Sequence, residues 1–126
     1  MAEGRRSLRG RANQAAGVAA EAIAAAALEA DGWVVLGRRL RTAAGEVDLV
    51  AERDGLLAVV EVKRRARLAD AARALGPRQQ ARLIAAAEIL LADHPDWGRA
   101  GVRFDVLLVD ARGAVRRIAD AFRVES

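Results

Sequence analysis

The sequence predicts an α/β protein whose helices pack on a mixed central sheet, in the element order αβββαββ. Three observations predict this fold class. An alanine-rich helical segment precedes three closely spaced strand candidates, a second amphipathic helix follows them, and two more strand candidates end the chain. A chain of 126 residues has the length of one domain, and we take residues 14–126 as a single folding unit.

The first helix is predicted over residues 14–30. Alanines from Ala12 onward supply helix propensity, and Gly32 stands just past the end as a stop signal. Residues 1–13 precede this helix as a basic arm with four arginines and little apolar content. We expect little order in this arm.

Three strands are predicted over residues 33–41, 46–52 and 56–64, because each segment is rich in strand-forming residues and bounded by turn residues. A charged connection over residues 65–76 follows, which we expect to be mobile or partly helical.

The second helix is predicted to begin at Pro77, because proline is favoured at the first helical position, and to end near His94. Apolar residues repeat along it at helical spacing. A buried strand over residues 102–109 and a short last strand over residues 114–118 complete the chain.

The composition narrows the possible chemistry. Without cysteine, no disulfide, thiolate zinc site or cysteine nucleophile can form, and the single His94 excludes histidine clusters. Carboxylates, arginine and lysine remain as functional groups. We find no signal-peptide core and no bilayer-spanning segment, so we expect a cytoplasmic protein without a membrane partner. The net charge of +4 favours a polyanionic partner.

The lysine content is unusual. Of the 21 basic residues 20 are arginine, and the single lysine is Lys63, within the third strand candidate. Lysine differs from arginine because it offers a compact point charge and can lose its proton. We interpret Lys63 as a position where arginine would not serve, with chance as the alternative.

A hairpin links the second and third strand candidates. Asp54-Gly55 predicts its two-residue turn, because both positions of a type I′ turn need positive φ. Residues equally distant from that turn face each other, which places Asp48 opposite Glu61 and Glu46 opposite Lys63. These four side chains are predicted on one face of the hairpin. The other face is predicted to carry Val47, Leu49, Val60 and Val62.

The opposed carboxylates predict a cation site. Asp48 and Glu61 repel each other unless a cation lies between them, and magnesium takes carboxylate oxygens together with waters. Lys63 would lie beside that ion, where it could orient or deprotonate a water or stabilise charge on a phosphate. Glu21 joins the candidate site because it lies in a largely apolar helix and needs a cation if it points inward.

An ordinary solvated hairpin face is the alternative interpretation, with Glu46 and Lys63 forming a surface ion pair that contributes little. This would be the default for one alternating strand. Two facing strands with opposed carboxylates beside the only lysine favour a site instead.

The sequence also resembles a known family. The resemblance rests on residues 21–28 and Gly32, and on three short segments: Gly45-Glu46-Val47-Asp48-Leu49-Val50, Val60-Glu61-Val62-Lys63-Arg64 and Arg103-Phe104-Asp105. On these residues the chain resembles the YraN-like family of small bacterial proteins over residues 10–122. That family is similar to the PD-(D/E)XK nuclease superfamily, and in outline to archaeal Holliday-junction resolvases.

The resemblance carries several implications. It implies a restriction-endonuclease-like core, metal-binding acids at Asp48 and Glu61, the superfamily's lysine at Lys63 and its helix-borne acid at Glu21. It also implies magnesium or manganese as cofactor, DNA as partner, branched DNA included, and a possible homodimer. Contacts to phosphates are predicted for a set of arginines: Arg38, Arg41, Arg64, Arg65, Arg78 and Arg82. A solvated charged face is the alternative for such a set.

Three positions depart from the family pattern. Ala20 replaces a frequent glycine, Arg39 a frequent asparagine, and Gln79 a frequent lysine near the start of the second helix. The change at Gln79 weakens the expectation of phosphate contacts from that helix, although Arg78 and Arg82 can substitute.

Other conspicuous residues have structural interpretations. For Arg41 and Arg103, an ion pair with Asp105 or Asp120 is as good an interpretation as ligand contact. His94 is expected to be exposed. The aromatic residues are expected in the core or in a lid rather than as base-stacking platforms: Trp33, Trp97, Phe104 and Phe122.

Three functions are open at this point. The leading hypothesis is a magnesium- or manganese-dependent nuclease that hydrolyses phosphodiester bonds in DNA, structured or branched DNA included. In it Asp48, Glu61 and Glu21 hold the metal and Lys63 is the base or charge stabiliser. The second is a nucleic-acid-binding or partner-recruiting module with little or no catalysis, and the third a role in protein interaction alone.

Overall fold

The computed structural model describes residues 19–64 and 75–122. The element order is αβββαββ, as predicted. The elements are α1, described over residues 19–30, β1 (Val34–Thr42), β2 (Gly45–Arg53), β3 (Leu56–Arg64), α2 (Pro77–Asp93), β4 (Gly101–Val109) and β5 (Val115–Phe122). The predicted basic arm, most of the charged connection and Arg65 lie outside the described residues.

The sheet has five strands in the order β1-β2-β3-β4-β5. It is mixed, as predicted, because β3 and β4 are parallel and every other neighbouring pair is antiparallel. Parallel neighbours need a crossover connection, and the segment containing α2 supplies it. The start of β2 and the ends of β3 and β4 therefore lie at the same end of the sheet, which we call the site end.

Each face of the sheet is covered by one helix. The α1 core contains Ala20, Ala24, Ala25, Leu28, Trp33, Leu49, Ala51, Ala58, Val60, Leu107 and Val109. The α2 core contains Val47, Val50, Leu57, Val59, Leu83, Ala86, Ala87, Leu90 and Phe104. Because both faces are buried, the central strands read as continuous apolar runs, and a polar side chain in them is a local exception.

Local signals explain the hairpin and the second helix. Asp54 and Gly55 have φ values of 53° and 79°, as a type I′ turn requires, and pairing from Arg53↔Leu56 to Leu49↔Val60 confirms the predicted register over that stretch. Helix α2 begins at Pro77 after the extended Gly76 and ends at Asp93, also as predicted.

The last strand is longer than predicted. It was expected to end at residue 118 but continues to Phe122. The extension is stabilised by non-local contacts, since the Asp120 N–H donates to the Asp105 carboxylate at 2.9 Å and the Phe122 ring stacks on Phe104 at 4.7 Å. Neither contact has a signature in the local sequence.

The predicted face of Val47 is wrong. Val47 packs in the α2 core, whereas Leu49, two residues along β2, packs in the α1 core. On β1, Leu40 pairs with Val47 and also packs against the α2 core, next to Arg39, whose φ of 51° is left-handed. Side chains therefore do not alternate strictly between the two faces of the sheet along this part of β2, since Val47 and Leu49 are two residues apart but pack against different helices.

Within the described parts of the chain, no helix is long and apolar enough to span a membrane.

Candidate active site

The predicted site residues meet at the site end of the sheet. Asp48 comes from β2, Glu61 and Lys63 come from β3, and Glu21 reaches the same region from α1. Glu21 and Glu61 are only 8% and 6% exposed, so two of the three acids are buried. Burying a carboxylate is costly unless a cation or hydrogen-bond donors compensate, which makes the partners of each acid decisive.

Asp48 is fixed against the neighbouring strand. Its Oδ2 accepts a hydrogen bond from the backbone N–H of Val62 at 2.8 Å, just beyond the last paired residues of the hairpin. Burial raises the pKa of the Asp48 carboxyl above its ordinary value of 3.8, while the Val62 bond and the charge of Lys63 act in the opposite direction.

The two carboxylate oxygens of Glu61 have different surroundings. Its Oε1 lies 3.4 Å from Nζ of Lys63 and 3.7 Å from Nη2 of Arg82 on α2. Its Oε2 is buried and has no hydrogen-bond partner within residues 19–64 and 75–122. Burial first, and then the charge of Asp48, raise the pKa of the Glu61 carboxyl above 4.5, so the two acids disfavour each other's ionisation.

The surroundings of Lys63 and Glu46 weigh against the solvated-face alternative. Lys63 is 18% exposed and contacts the buried Glu61. Glu46 instead pairs with Arg39 and Arg41 on β1, each at 3.7 Å. The only lysine of the chain therefore serves the buried acid rather than a surface pair.

Glu21 points inward, as the site hypothesis required. Its Oε2 lies 3.9 Å from Nε of Arg39, which also contacts Glu46. Burial and then the charge of Asp48 raise the pKa of the Glu21 carboxyl, and Arg39 acts against them. Sequence reasoning noted Arg39 only as a departure from the family pattern, because its left-handed backbone and its contact with α1 have no local signal.

The donor set fits a divalent cation in part. Two neighbouring carboxylates, one with a buried oxygen that no described residue partners, suit magnesium or manganese, which takes one or two carboxylates together with waters and a substrate phosphate. Among residues 19–64 and 75–122, however, no three acidic or histidine side chains converge as a complete ligand group. The structure thus brings Asp48, Glu61 and Lys63 together and keeps Glu21 beside them, paired with Arg39.

The predicted phosphate-contacting arginines separate into different environments. Arg82 lies within the site. Arg41 is 89% exposed, and Arg38 pairs with Glu29 of α1 at 3.5 Å. Arg78 in the first turn of α2 and Arg64 at the end of β3 are exposed.

Arg103 has the structural role that sequence reasoning left open. Its Nη2 donates to the buried carboxylate of Asp105 at 3.0 Å, and Arg117 donates to the same carboxylate at 2.6 Å. This ion-paired group lies on the α1 side of the sheet and takes no part in the acidic site.

All four aromatic residues of the chain contribute to packing, as expected. Trp33 is 2% exposed and has three guanidinium groups 4.7–4.8 Å from its ring centroid. Phe104 and Phe122 stack on each other, and Trp97 stacks on His94 at 3.7 Å. His94 is therefore half-buried rather than exposed as expected. No phenylalanine, tryptophan or tyrosine is left to stack on a base beside Asp48.

The raised acid pKa values lead to a stability prediction. In the folded protein the carboxyls of Asp48 and Glu61 bind protons more tightly than in the unfolded chain, so stability falls as the pH rises from about 4 towards neutral. Asp48→Asn removes one charge and retains an acceptor for the Val62 N–H. We expect it to raise the thermal midpoint at pH 7 by a few degrees, where 1 kcal/mol corresponds to roughly 4 °C.

Thermal unfolding of the parent and of Asp48→Asn between pH 4 and pH 8 measures this effect. The gain should be largest at neutral pH and shrink as the pH falls. A variant that is less stable than the parent at pH 7 would contradict the assignment of Asp48 as an acid whose ionised form the folded protein disfavours.

The fold and the site together define a class of protein: a small α/β protein whose described residues form a five-stranded mixed sheet with two neighbouring acids, Asp48 and Glu61, beside its single lysine. The chain belongs to the family described as Uncharacterised protein family UPF0102, whose sequence profile matches residues 20–109. This match includes all four predicted site residues and confirms the resemblance to YraN-like proteins.

Individual relatives agree with this assignment. A UPF0102 protein of Granulibacter bethesdensis is 64% identical over 118 residues, which cover 94% of this chain and 75% of the relative. A UPF0102 protein of Azorhizobium caulinodans is 51% identical over 117 residues, 93% of this chain and 89% of the relative. Another, of Acidiphilium cryptum, is 54% identical over 96 residues, 76% of this chain and 74% of the relative.

Proposed function

We propose that this protein is a magnesium- or manganese-dependent nuclease that hydrolyses phosphodiester bonds in DNA. One observation carries the proposal: the half-buried carboxylate of Asp48 lies near the buried carboxylate of Glu61, one oxygen of Glu61 has no hydrogen-bond partner among the described residues, and the only lysine stands beside them. The αβββαββ order and the mixed sheet are compatible with the restriction-endonuclease-like core of the PD-(D/E)XK superfamily, and we include that assignment in the proposal.

Each site residue has its own role in the proposed hydrolysis. Asp48 and Glu61 would hold the divalent ion, with Glu21 as a water-mediated or direct ligand once it leaves Arg39. The bound ion supplies a Lewis acid for the phosphate and lowers the pKa of a water. Lys63 would donate to the phosphate or orient the attacking water. Hydrolysis forms one P–O bond from that water and breaks one ester P–O bond, and the leaving oxygen takes up a proton.

The surface around the site favours binding through the DNA backbone. Exposed arginines on β1 and α2 provide positive charge near the acids, and the net charge is +4. All four aromatic residues are engaged in packing contacts, so stacking on unpaired bases has no platform here. Contacts to phosphates position a duplex without reading its sequence. Branched DNA as substrate and a homodimer complete the proposal on the strength of the resemblance, and a cytoplasmic location is proposed from the sequence features given above.

Incubation of the purified protein with branched, nicked and linear duplexes tests the proposal. Cleavage is expected with magnesium or manganese and should stop with a chelator. Absence of cleavage of all three substrates with either metal would reject the nuclease function.

A catalytically silent DNA-binding module is the second candidate. The pairing of Glu21 with Arg39 favours it, because only two of the three predicted acids then face each other. Salt-dependent DNA binding that is indifferent to chelator and to Asp48→Asn would support this candidate. A failure to retain any DNA at low salt would leave protein interaction as the role.

Arg41 offers a direct test of backbone contact. It is 89% exposed and lies on β1 next to Glu46. If it neutralises one phosphate, Arg41→Ala should weaken DNA binding similarly for all sequences and reduce the slope of log affinity against log salt by about 1. Titrations at several salt concentrations measure this slope. Arg99→Ala, at the opposite end of the sheet, is the control, and equal slopes for all three proteins would exclude Arg41 from the interface.

A further inference from the structure

Arg82 reaches the acidic pair by crossing the backbone of β2. A Cβ atom at Gly45 would lie 2.9 Å from Cδ of Arg82 and 3.1 Å from its Nη1, so a side chain at this position would force Arg82 to shift. Gly45 also has a φ of 138°, a conformation that other residues rarely adopt. The absence of a side chain at Gly45, the first residue of β2, thus accommodates the Arg82 side chain of α2.

The guanidinium of Arg82 is held at two points. Its Nη1 donates to the backbone carbonyl of Glu46 at 3.3 Å, and its Nη2 lies 3.7 Å from Oε1 of Glu61. A planar guanidinium can span two acceptors in fixed geometry, which an ammonium cannot do. The backbone of β2 therefore anchors the group that contacts Glu61.

Both cations near Glu61 contact the same oxygen. Nζ of Lys63 lies 3.4 Å from Oε1, the atom that Arg82 also contacts, while Oε2 is buried and meets no hydrogen-bond partner in the part of the chain that the structure describes. The two oxygens of this carboxylate thus differ: one is engaged by protein cations, and the other has no hydrogen-bond partner among the described residues.

We infer that Arg82 is a positioning residue for Glu61, and that Gly45 is present so that Arg82 can act. Arg82 holds Oε1 so that Oε2 is presented to a divalent cation. This inference rests on the proposed function in one respect, namely that the acidic pair takes a divalent cation. It does not depend on DNA cleavage.

Manganese binding by the purified protein, without DNA, tests the inference by calorimetric titration. Arg82→Ala should weaken manganese binding by roughly 10–100-fold, the usual cost of losing a group that orients a metal ligand. Simple charge repulsion predicts the opposite, since removing a cation beside the site would tighten binding. Equal or tighter binding by Arg82→Ala, or no saturable binding by the parent, would overturn the inference.

Three further variants separate positioning from charge and from structural support. Arg82→Lys keeps the charge but cannot span both acceptors, so it should recover only part of the affinity; full recovery would reject two-point positioning. Gly45→Ala should reproduce the loss by displacing Arg82. Gly76→Ala, where a Cβ meets no described atom within 4 Å, and Arg99→Ala should bind manganese like the parent.

Two outcomes distinguish positioning by Arg82 from a purely structural role of Arg82 and from the nuclease proposal. If Arg82→Ala unfolds at a lower temperature but binds manganese like the parent, Arg82 only supports the structure and the inference fails. If manganese binding weakens as expected while the parent cleaves no DNA, positioning stands and the nuclease proposal falls.

Discussion

Asp48→Asn is expected to abolish metal-dependent DNA cleavage while the protein stays folded. The carboxylate would contribute half of the acidic pair, and a neutral amide binds a divalent cation far more weakly. Loss of a cation that supplies several kcal/mol of stabilisation to the reacting phosphate corresponds to a rate reduction of roughly 100-fold or more. The amide still accepts the Val62 N–H, so the local backbone should be unchanged.

Initial cleavage rates with magnesium and with manganese measure this effect, alongside a thermal melt of the same samples. Lys63→Ala should lose activity to a similar degree. Asp96→Asn is the matched control, because Asp96 is exposed beyond the end of α2, away from the site end. Unchanged rates in both the Asp48 and Lys63 variants would remove the acidic pair from the chemistry.

Asp105→Ala is expected to produce the largest loss of stability. The Asp105 side chain is 0% exposed and accepts from Arg103 at 3.0 Å, from Nε and Nη2 of Arg117 at 2.9 and 2.6 Å, and from the N–H of Asp120 at 2.9 Å. Its removal leaves two largely buried guanidinium groups without their shared counterion. Breaking a buried ion pair in this way costs about 3–5 kcal/mol.

Chemical denaturation of the parent and of Asp105→Ala measures this cost. Asp93→Ala, at the exposed end of α2, is the control and should change stability by less than about 0.5 kcal/mol. A cost below about 1 kcal/mol for Asp105→Ala would show that water replaces the carboxylate. β5 would then depend on Phe122 packing rather than on the ion pairs.

The two predictions concern two different groups of charges in the sheet. At the site end, burial first and then, for Glu61, the charge of Asp48 disfavour the ionised acids and weaken the fold, whereas Asp105 joins β4 and β5 through compensated charge. Acids of this one small protein thus have opposite effects on the stability of the fold: Asp48 and Glu61 lower it, and Asp105 raises it. The Asp48–Glu61 pair is the better candidate for function, because an unfavourable charge of this kind persists where a ligand offsets it.

The part of the fold that local residues encode could be predicted. Periodicity and turn residues gave the αβββαββ order, and Asp54-Gly55 gave the hairpin register, because these signals act between residues close in the chain. The candidate site followed from the same register, since it placed Asp48 near Glu61. Composition singled out Lys63, which contacts Glu61 in the structure.

Tertiary packing decided the rest. The face of Val47, the extension of β5 to Phe122, the pairing of Glu21 with Arg39 and the path of Arg82 over Gly45 were not predictable from the sequence. Each depends on contacts between elements far apart in the chain. The sequence by itself determined which elements form and which acids share a hairpin. Which cation lies beside each acid was decided only by the packing of the helices on the sheet, because charge compensation depends on distances that this packing sets.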